Sequence, residues 1–123
     1  MTPNDLSERL LDFAARIGKV VDALPDTRLG RHIAAQLIRS GTSPAPNYEE
    51  GCVAESRADF VHKLTIGLKE LRETRLWLRL IIKCELLSKA KMGNILDECE
   101  QLTKVIAQSV ITAKRKNVKK AKS

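Results

Sequence analysis

A long run of heptad-spaced residues constrains this chain more than any other feature. Small or apolar residues recur at steps of four and three between residues 57 and 87: Phe60, Leu64, Gly67, Leu71, Thr74, Leu78 and Ile81. This period places them on one face of an α-helix and does not fit a strand. More apolar residues lie outside that face, namely Ile66, Trp77, Leu80 and Ile82. A helix with two apolar faces predicts self-association, with Trp77, Leu80 and Ile82 in the interface.

Three other segments carry helical patterns. The first covers residues 5–23, with Asn4 or Asp5 as its cap, and the second begins near Arg28 after a break at Pro25. The last follows a turn at 88–93 and runs to about residue 114. Their apolar seams are Leu6, Leu10, Phe13, Ile17, Val20 and Leu24; Leu29, Ile33 and Leu37; and Leu96, Cys99, Leu102, Ile106, Ser109 and Ala113. Short connections predict an all-α, antiparallel up-down-up-down four-helix bundle over residues 1–113, followed by a disordered basic tail at 114–123.

Two prolines interrupt the second helix and leave its shape open. A proline inside a helix removes a hydrogen bond and bends it, at a cost of about 3 kcal/mol or more. Either two helices meet in a loop at residues 41–46, or one helix bends near Pro44 and Pro46. We favour the bent helix, because a polar stripe keeps its helical phase across both prolines. That stripe is Gln36, Ser40, Ser43, Asn47 and Glu50.

The polar stripe has two interpretations. It invites an active site, with Glu49, Glu50, Glu70 and Glu73 as paired carboxylates for acid–base chemistry. It also fits a hydrogen-bonded seam that fixes the register between the second and third helices, and we prefer this second interpretation. The seam then consists of the stripe together with Lys63, Glu70 and Glu73 on the next helix.

Positive charge is concentrated in two places. The formal net charge is +7, and six basic residues stand in the last ten positions. Residues 27–91 hold 12 basic and 7 acidic residues, and five of the basic ones form a row on the third helix: Lys69, Arg72, Arg75, Arg79 and Lys83. Together with Lys114, Arg115, Lys116, Lys119 and Lys120 they are candidates for phosphate contacts with RNA or DNA. The alternative is a solvated face, neutralised in part by Glu70 and Glu73.

Other function classes find little support in the sequence. Asp59 and His62, with Glu55 one turn earlier, form a single weak metal motif without a second histidine partner, so we predict no metal, cofactor or catalytic residue. Three cysteines, Cys52, Cys84 and Cys99, lie in apolar stripes and read as reduced core residues. We find no signal peptide or membrane-spanning run, which predicts a soluble, cytoplasmic protein.

The central stretch resembles the signature of a bacterial family of small four-helix bundles. That family includes proteins encoded by intervening sequences in large-subunit ribosomal RNA genes, and the accessory variability protein of diversity-generating retroelements is related to it. The matching residues are Arg39, Ser40, Ser43, Asn47, Glu50, Ser56, Asp59, Phe60, Lys63, Lys69, Glu70, Glu73, Thr74, Trp77 and Leu78. The paired prolines depart from the usual pattern.

The resemblance implies a homopentameric ring. For the retroelement relatives it implies a basic surface that binds nucleic acid and a reverse transcriptase; for most members no activity is established. Our first hypothesis is therefore a non-enzymatic homo-oligomer that binds nucleic acid through phosphate contacts. The second is a protein-interaction or scaffold module without a nucleic-acid role, and the third is an enzyme built around Glu50.

Overall fold

Five helical segments make up the chain. The structure, a computed structural model, describes the backbone of residues 1–122 and the side chains of residues 1–116. The segments are α1 (Pro3–Ala23), α2 (Arg28–Thr42), α3 (Pro44–Cys52), α4 (Arg57–Lys83) and α5 (Lys89–Lys122). Over residues 1–122 the chain is all-α and contains no strand. None of the described helices is long and apolar enough to cross a membrane.

Hydroxyl side chains cap the N-termini of α1, α2 and α4. Thr2, not Asn4 or Asp5, is the N-cap of α1, and Asp5 completes a capping box by accepting a hydrogen bond from the Thr2 backbone. These hydrogen bonds lower the pKa of the Asp5 carboxyl. Thr27 caps α2 and Ser56 caps α4 in the same way, by accepting from the backbone N–H three residues on. Each cap satisfies a backbone donor that the helix leaves unpaired.

Segments α2 and α3 join into one bent helix. Ser43, the residue between them, has helical dihedral angles of φ −66° and ψ −35°. Its N–H donates to the Arg39 carbonyl at 3.1 Å, and its own carbonyl accepts from Asn47 N at 3.3 Å. The hydrogen bonds therefore continue through the joint, although Pro44 and Pro46 each lack an N–H to donate. Of the two alternatives left open by the sequence, the joined helix agrees with the structure.

The joined helix lies between α1 and α4. Helix α4 packs against α2, α3 and α5, and α1 packs against α2, α3 and α5. Among the described residues no Cα atom of α1 lies within 8 Å of one in α4, nor does one of α5 lie within 8 Å of one in α2 or α3. The four helices therefore surround one core, with α1 diagonal to α4 and the joined helix diagonal to α5.

The buried residues follow the predicted seams with few exceptions. On α4, all the heptad residues except the half-buried Phe60 are buried. Leu29 is the clearest error, because it is 40% exposed although the sequence placed it in the seam of α2. On α5, Met92, Ile95 and Val110 belong to the core in addition to the predicted seam, in which Leu96 and Ser109 are only half-buried.

The last two helices, α4 and α5, end at other residues than the sequence predicted. Helix α4 ends at Lys83, four residues earlier than expected. The chain leaves it through Glu85, whose φ is +56°, while Glu85 N and Leu86 N donate back to the carbonyls of Ile82 and Ile81. This is a Schellman motif, which satisfies the last carbonyls of a helix.

Helix α5 continues to Lys122, through the segment that the sequence assigned to a disordered tail. The Lys, Arg and Ala residues of this segment all favour helix, and no Gly or Pro interrupts it.

The cysteines do not share one environment. Cys99 is buried, whereas Cys52 and Cys84 are exposed, so the prediction of three core cysteines was wrong for two of them. Cys52 lies in the last turn of α3, and Cys84 is the C-cap of α4. At these helix ends, a residue that follows the apolar pattern of the helix is no longer covered by the core. Burial raises the pKa of the Cys99 thiol to about 12.

Thiol titration tests this difference. A thiol reagent at neutral pH should modify Cys52 and Cys84 in the folded protein and reach Cys99 only after unfolding, because the reagent attacks accessible thiolates. Cys99 should stay protected as the pH rises through 8 to 9, where ordinary thiols ionise, since its own pKa lies above that range. Cys99→Ser is the control, because it should leave the number of thiols modified in the folded protein unchanged. Fast labelling of all three thiols would contradict the structure.

Gly41 permits the close approach of α2 to α1. A Cβ atom at Gly41 would lie 2.7 Å from Cγ1 and 2.8 Å from Cγ2 of Ile17, a side chain with no exposed surface. We expect Gly41→Ala to lower the free energy of unfolding by about 1–2 kcal/mol, because overpacking costs more than the gain in helix propensity of up to about 1 kcal/mol. Gly93→Ala is the matched control, since nothing lies within 4 Å of its Cβ position. Urea unfolding at one protein concentration measures both, and a stabilised Gly41→Ala variant would refute the close contact.

Candidate nucleic-acid interface

The predicted basic row lies on the outer surface of α4. Its five residues are spaced by three or four positions, so they follow one side of the helix away from the buried heptad face. All five side chains are exposed: Lys69, Arg72, Arg75, Arg79 and Lys83. The first and last residues of the row are 14 positions apart, which is about 21 Å at the α-helical rise of about 1.5 Å per residue. It is a linear patch rather than a pocket.

The acids of α4 do not neutralise this row. Glu70 and Glu73 both bind Arg39 of α2, with 2.8 Å between Arg39 Nη1 and Glu70 Oε2. Only Arg75 has a carboxylate partner within the described side chains, Glu100 of α5, at 3.2 Å from Arg75 Nε. The other four cations make no ion pair with residues 1–116, so Glu70 and Glu73 do not pair with the row, and the alternative of a solvated face stays open.

The basic residues at the end of α5 lie elsewhere. Lys114, Arg115 and Lys116 are exposed, whereas the side chains of Lys119 and Lys120 fall outside the described residues. Lys116 lines a shallow groove of about 320 Å³ together with Arg57 and Phe60, at the start of α4. The row on α4 begins 12 residues after Arg57. The structure therefore places the two basic groups along the same pair of helices, without bringing them into one cluster.

Part of the polar stripe is buried between the joined helix and α4. Ser40 and Thr74 have no exposed surface, and their Oγ atoms lie 3.0 Å apart. The Thr74 hydroxyl also lies 2.8 Å from the Glu70 carbonyl oxygen of the preceding turn. No buried side-chain nitrogen or oxygen among the described residues lacks a hydrogen-bond partner. This pair is therefore a satisfied polar contact inside the core, with no spare group for catalysis.

The remaining stripe residues lie near the surface. Asn47 Nδ2 donates to the Ser43 carbonyl at 3.0 Å and to Ser43 Oγ at 2.9 Å, so these two residues pair within their own helix. Glu50 is exposed and accepts from Lys63 Nζ at 2.8 Å. Gln36 shares the Arg39 guanidinium at 3.4 Å with Glu70 and Glu73. With the Ser40–Thr74 pair, the predicted seam residues thus form four separate sets of contacts rather than one continuous buried network.

The predicted interface residues are half-buried within a single chain. Trp77 Nε1 donates to Glu73 Oε2 at 3.0 Å, and its ring forms a T-shaped pair with that of His32 at a centroid distance of 5.7 Å. Leu80 and Ile82 line a groove of about 440 Å³ between α4 and α5. Leu76, which the prediction left out, is more exposed than any of the three, at 55%. Trp77 is thus held by its own chain, and the exposed apolar surface of α4 centres on Leu76 and Leu80.

No metal or acid–base centre emerges from these contacts. Within the described residues, His, Cys, Asp and Glu side chains form no group of three placed to hold a metal ion. Asp59 and His62 are exposed on the first turns of α4. Burial raises the pKa of the Tyr48 hydroxyl above its usual value.

Comparison with protein families places the chain. The model of the 23S rRNA-intervening sequence protein family matches residues 4–108, which include α1 to α4 and more than half of α5. The chain belongs to the 23S rRNA-intervening sequence protein family. This identification agrees with the resemblance that the sequence between Arg39 and Leu78 indicated.

A solved structure supports the family assignment. It is the crystal structure of a protein of unknown function from the S23 ribosomal protein family of Bacteroides thetaiotaomicron VPI-5482. The two chains share 34% sequence identity and superpose with a TM-score of 0.82, over 89% of this chain and 98% of that one. A search of curated proteins finds no match. The relatives thus fix the fold of this intervening-sequence family member and leave its function open.

Two residues that make the main polar contacts between α2 and α4 were absent from the predicted seam. Arg39 holds Glu70 and Glu73, and Thr74 meets Ser40 in the core. Both were among the residues that carried the resemblance to the intervening-sequence proteins. Arg39 lies one position off the polar stripe, where its long side chain still reaches α4, and Thr74 was counted as an apolar heptad position. The sequence did contain a signal for Arg39: it is a basic residue on α2 that could pair with the two acids of α4, Glu70 and Glu73.

A double-mutant cycle tests the buried Ser40–Thr74 contact. We expect Thr74→Val to lower the free energy of unfolding by about 1–3 kcal/mol, because it leaves the buried Ser40 hydroxyl without its partner. Ser40→Ala together with Thr74→Val should cost less than the sum of the two single changes, since it removes both polar groups. Chemical unfolding measures all three variants. Strict additivity would show that the hydroxyls do not interact.

Proposed function

We propose that this protein is a non-enzymatic homo-oligomer that binds nucleic acid through its phosphates, using the basic row of α4. One observation carries the proposal: four exposed cations of that row, Lys69, Arg72, Arg79 and Lys83, have no ion pair with residues 1–116, while the nearby acids are bound to Arg39. An unneutralised row attracts a polyanion.

The dimensions of the row suit a nucleic-acid backbone. Its length of about 21 Å compares with one phosphate charge per about 1.7 Å of duplex axis, so several phosphates fall within its reach. The exposed Lys114, Arg115 and Lys116 add charge along the neighbouring helix. Binding of this type releases counterions and is steeply salt-dependent.

The aromatic residues offer no surface for stacking bases. Phe13 and Tyr48 are buried, and the Trp77 N–H already donates to Glu73. Phe60 is half-buried. Without an aromatic platform, single-stranded bases have little to stack on. Phosphate contacts of the kind that this row offers carry no direct sequence information. The proposal is therefore for binding that follows the phosphate backbone and discriminates poorly between sequences.

The proposal includes the assembly that the resemblance implies, an antiparallel up-down-up-down bundle repeated in a ring of five copies. Leu76, at 55% exposure beside the half-buried Leu80, supports a contact between copies on α4. A ring would repeat the basic row around its circumference and raise the local potential well above that of one chain.

A second candidate function is a protein-interaction module. It is supported by the groove of about 440 Å³ between α4 and α5, whose floor includes Leu80, Ile82 and Leu96. Arg79, Lys83 and Lys89 surround it, so an acidic partner segment would suit it. In a retroelement setting that partner would be the reverse transcriptase. Pull-down of one protein by a variant that no longer binds nucleic acid would favour this function over the first.

Binding of a fluorescently labelled RNA or DNA duplex, followed by anisotropy over a salt series, tests the first proposal. We expect Arg72→Glu with Arg79→Glu to weaken binding at least about tenfold and to reduce the slope of log affinity against log salt by about two, one for each lost phosphate contact. Lys19→Glu with Arg28→Glu is the matched control, because it makes the same charge change at exposed positions of α1 and α2. Equal losses in both variants would reduce the effect to net charge, and an absence of binding at low salt would refute the proposal.

A further inference from the structure

The buried seams of α4 and α5 both end in a cation. On α4, Arg57 stands seven positions before the buried Leu64 and continues the heptad seam past the end of the core. On α5, Lys116 stands three positions after the buried Ala113 and continues that seam in the same way. Positions that hold core residues along most of these helices therefore carry positive charge at this end of the bundle.

Both cations line one groove, which we call the end groove, between the start of α4 and residues 108–116 of α5. Its volume is about 320 Å³. Its other lining residues carry no charge: Phe60, Gln108, Ser109, Thr112 and Ala113. A cleft lined by charge of one sign concentrates counter-ions, so the end groove attracts anions.

The acids nearby do not balance this charge. Within residues 1–116 neither Arg57 nor Lys116 forms an ion pair. Glu55 lines an adjacent groove together with Arg57, yet it pairs with neither cation. Asp59 is exposed in the first turn of α4 and does not line the end groove. The described side chains thus leave both positive charges available to a ligand.

A hydroxyl group adds a hydrogen-bond donor between the cations. Gln108 Nε2 donates to Thr112 Oγ1 at 3.3 Å, so Thr112 is an acceptor in this contact and keeps its own proton for a ligand. Ser109 differs, because its hydroxyl already donates to the Val105 carbonyl at 3.0 Å. The end groove therefore offers a guanidinium, an ammonium and a hydroxyl as donors.

This donor set suits a phosphate monoester better than a phosphodiester. A monoester carries a charge of about −1.5 to −2 at neutral pH and has three strong acceptor oxygens. A diester in a nucleic-acid backbone carries a single negative charge. Two cations and a hydroxyl match the charge and the three oxygens of the monoester, and a guanidinium can bind two phosphate oxygens at once.

We propose that the end groove binds a phosphate monoester, supplied by the end of a nucleic-acid strand. Its volume lies at the lower end of the range of about 300–1,000 Å³ for small-molecule sites, which suits one nucleotide. Lys69, the first residue of the basic row, lies 12 positions after Arg57, or about 18 Å along α4. A strand whose end occupies the groove can therefore continue towards the row.

The source of the phosphate rests on the proposed function, whereas the groove itself does not. A nucleic-acid end and a free nucleotide present the same monoester, so the experiment includes both. Neither Arg57 nor Lys116 belongs to the row on α4, and substitutions in the groove leave that row intact.

Two internally labelled duplexes of one sequence test the proposal by anisotropy in a buffer without phosphate. One carries a phosphate at every strand end and the other carries only hydroxyl groups. We expect the phosphorylated duplex to bind about tenfold more tightly, which is the effect of one charge-assisted hydrogen bond. Arg57→Gln with Lys116→Gln should remove this difference, because it removes both cations of the groove.

The matched control is Lys19→Gln with Arg28→Gln. It makes the same charge change at exposed positions of α1 and α2, outside the groove, and it should keep the preference for the phosphorylated duplex. Circular dichroism verifies that both double variants remain helical. A preference that persists in the Arg57→Gln, Lys116→Gln variant would overturn the assignment to this groove.

Calorimetric titration with a nucleoside 5′-monophosphate separates the two sources. Binding that the groove variant loses, without a preference between the duplexes, would support the monoester site with a free nucleotide as its ligand. Equal affinity for both duplexes and no binding of the monophosphate would overturn the site and leave the function of the row in place. If no duplex binds at low salt, the proposed function fails, and the monophosphate titration decides the groove by itself.

Discussion

The contact between the joined helix and its two neighbours is the constraint on which the rest of the fold depends. The α2–α3 segment touches α1 on one side and α4 on the other, and it does so through small residues. Gly41 faces Ile17 of α1, while Gly51 lies so close to Leu64 of α4 that a Cβ atom would be 2.9 Å from its Cδ1. Close packing at this density leaves little room for adjustment. The bend at Ser43 lets a single helix maintain both contacts along its length.

The same contact determines where the charges of α4 are available. Glu70 and Glu73 face the joined helix, and Arg39 extends from it to bind both. Ion pairs with this much exposure add little stability on their own. Their larger effect is on the surface potential, because the acids are held on the α2 side of α4 while the arginines occupy the α5 side. The separation of charge around one helix thus follows from how the core is packed.

Much of the fold could be predicted from the sequence, because periodicity reports directly which face of a helix is buried. The heptad positions of α4 from Leu64 to Ile81 are buried as expected. Predictions failed where a helix end, rather than its face, decides exposure: Leu29 lies in the first turn of α2, and Cys52 and Cys84 lie at the ends of α3 and α4. The prolines were tolerated because Ser43 keeps helical dihedral angles and its neighbours' hydrogen bonds continue past it.

The surface was harder to predict than the core, because its charge balance depends on which helices are neighbours. The sequence shows a row of cations on α4 and an excess of acids in residues 1–26, where five acids stand against three bases. It does not show which helices are neighbours, and a cation row beside an acidic helix of the same chain would simply be neutralised. The structure places α1 diagonal to α4, so the acids of α1 cannot serve this purpose within one molecule. The cation row of α4 therefore keeps most of its positive charge within one molecule, and this result of helix adjacency cannot be read from the periodicity of either helix.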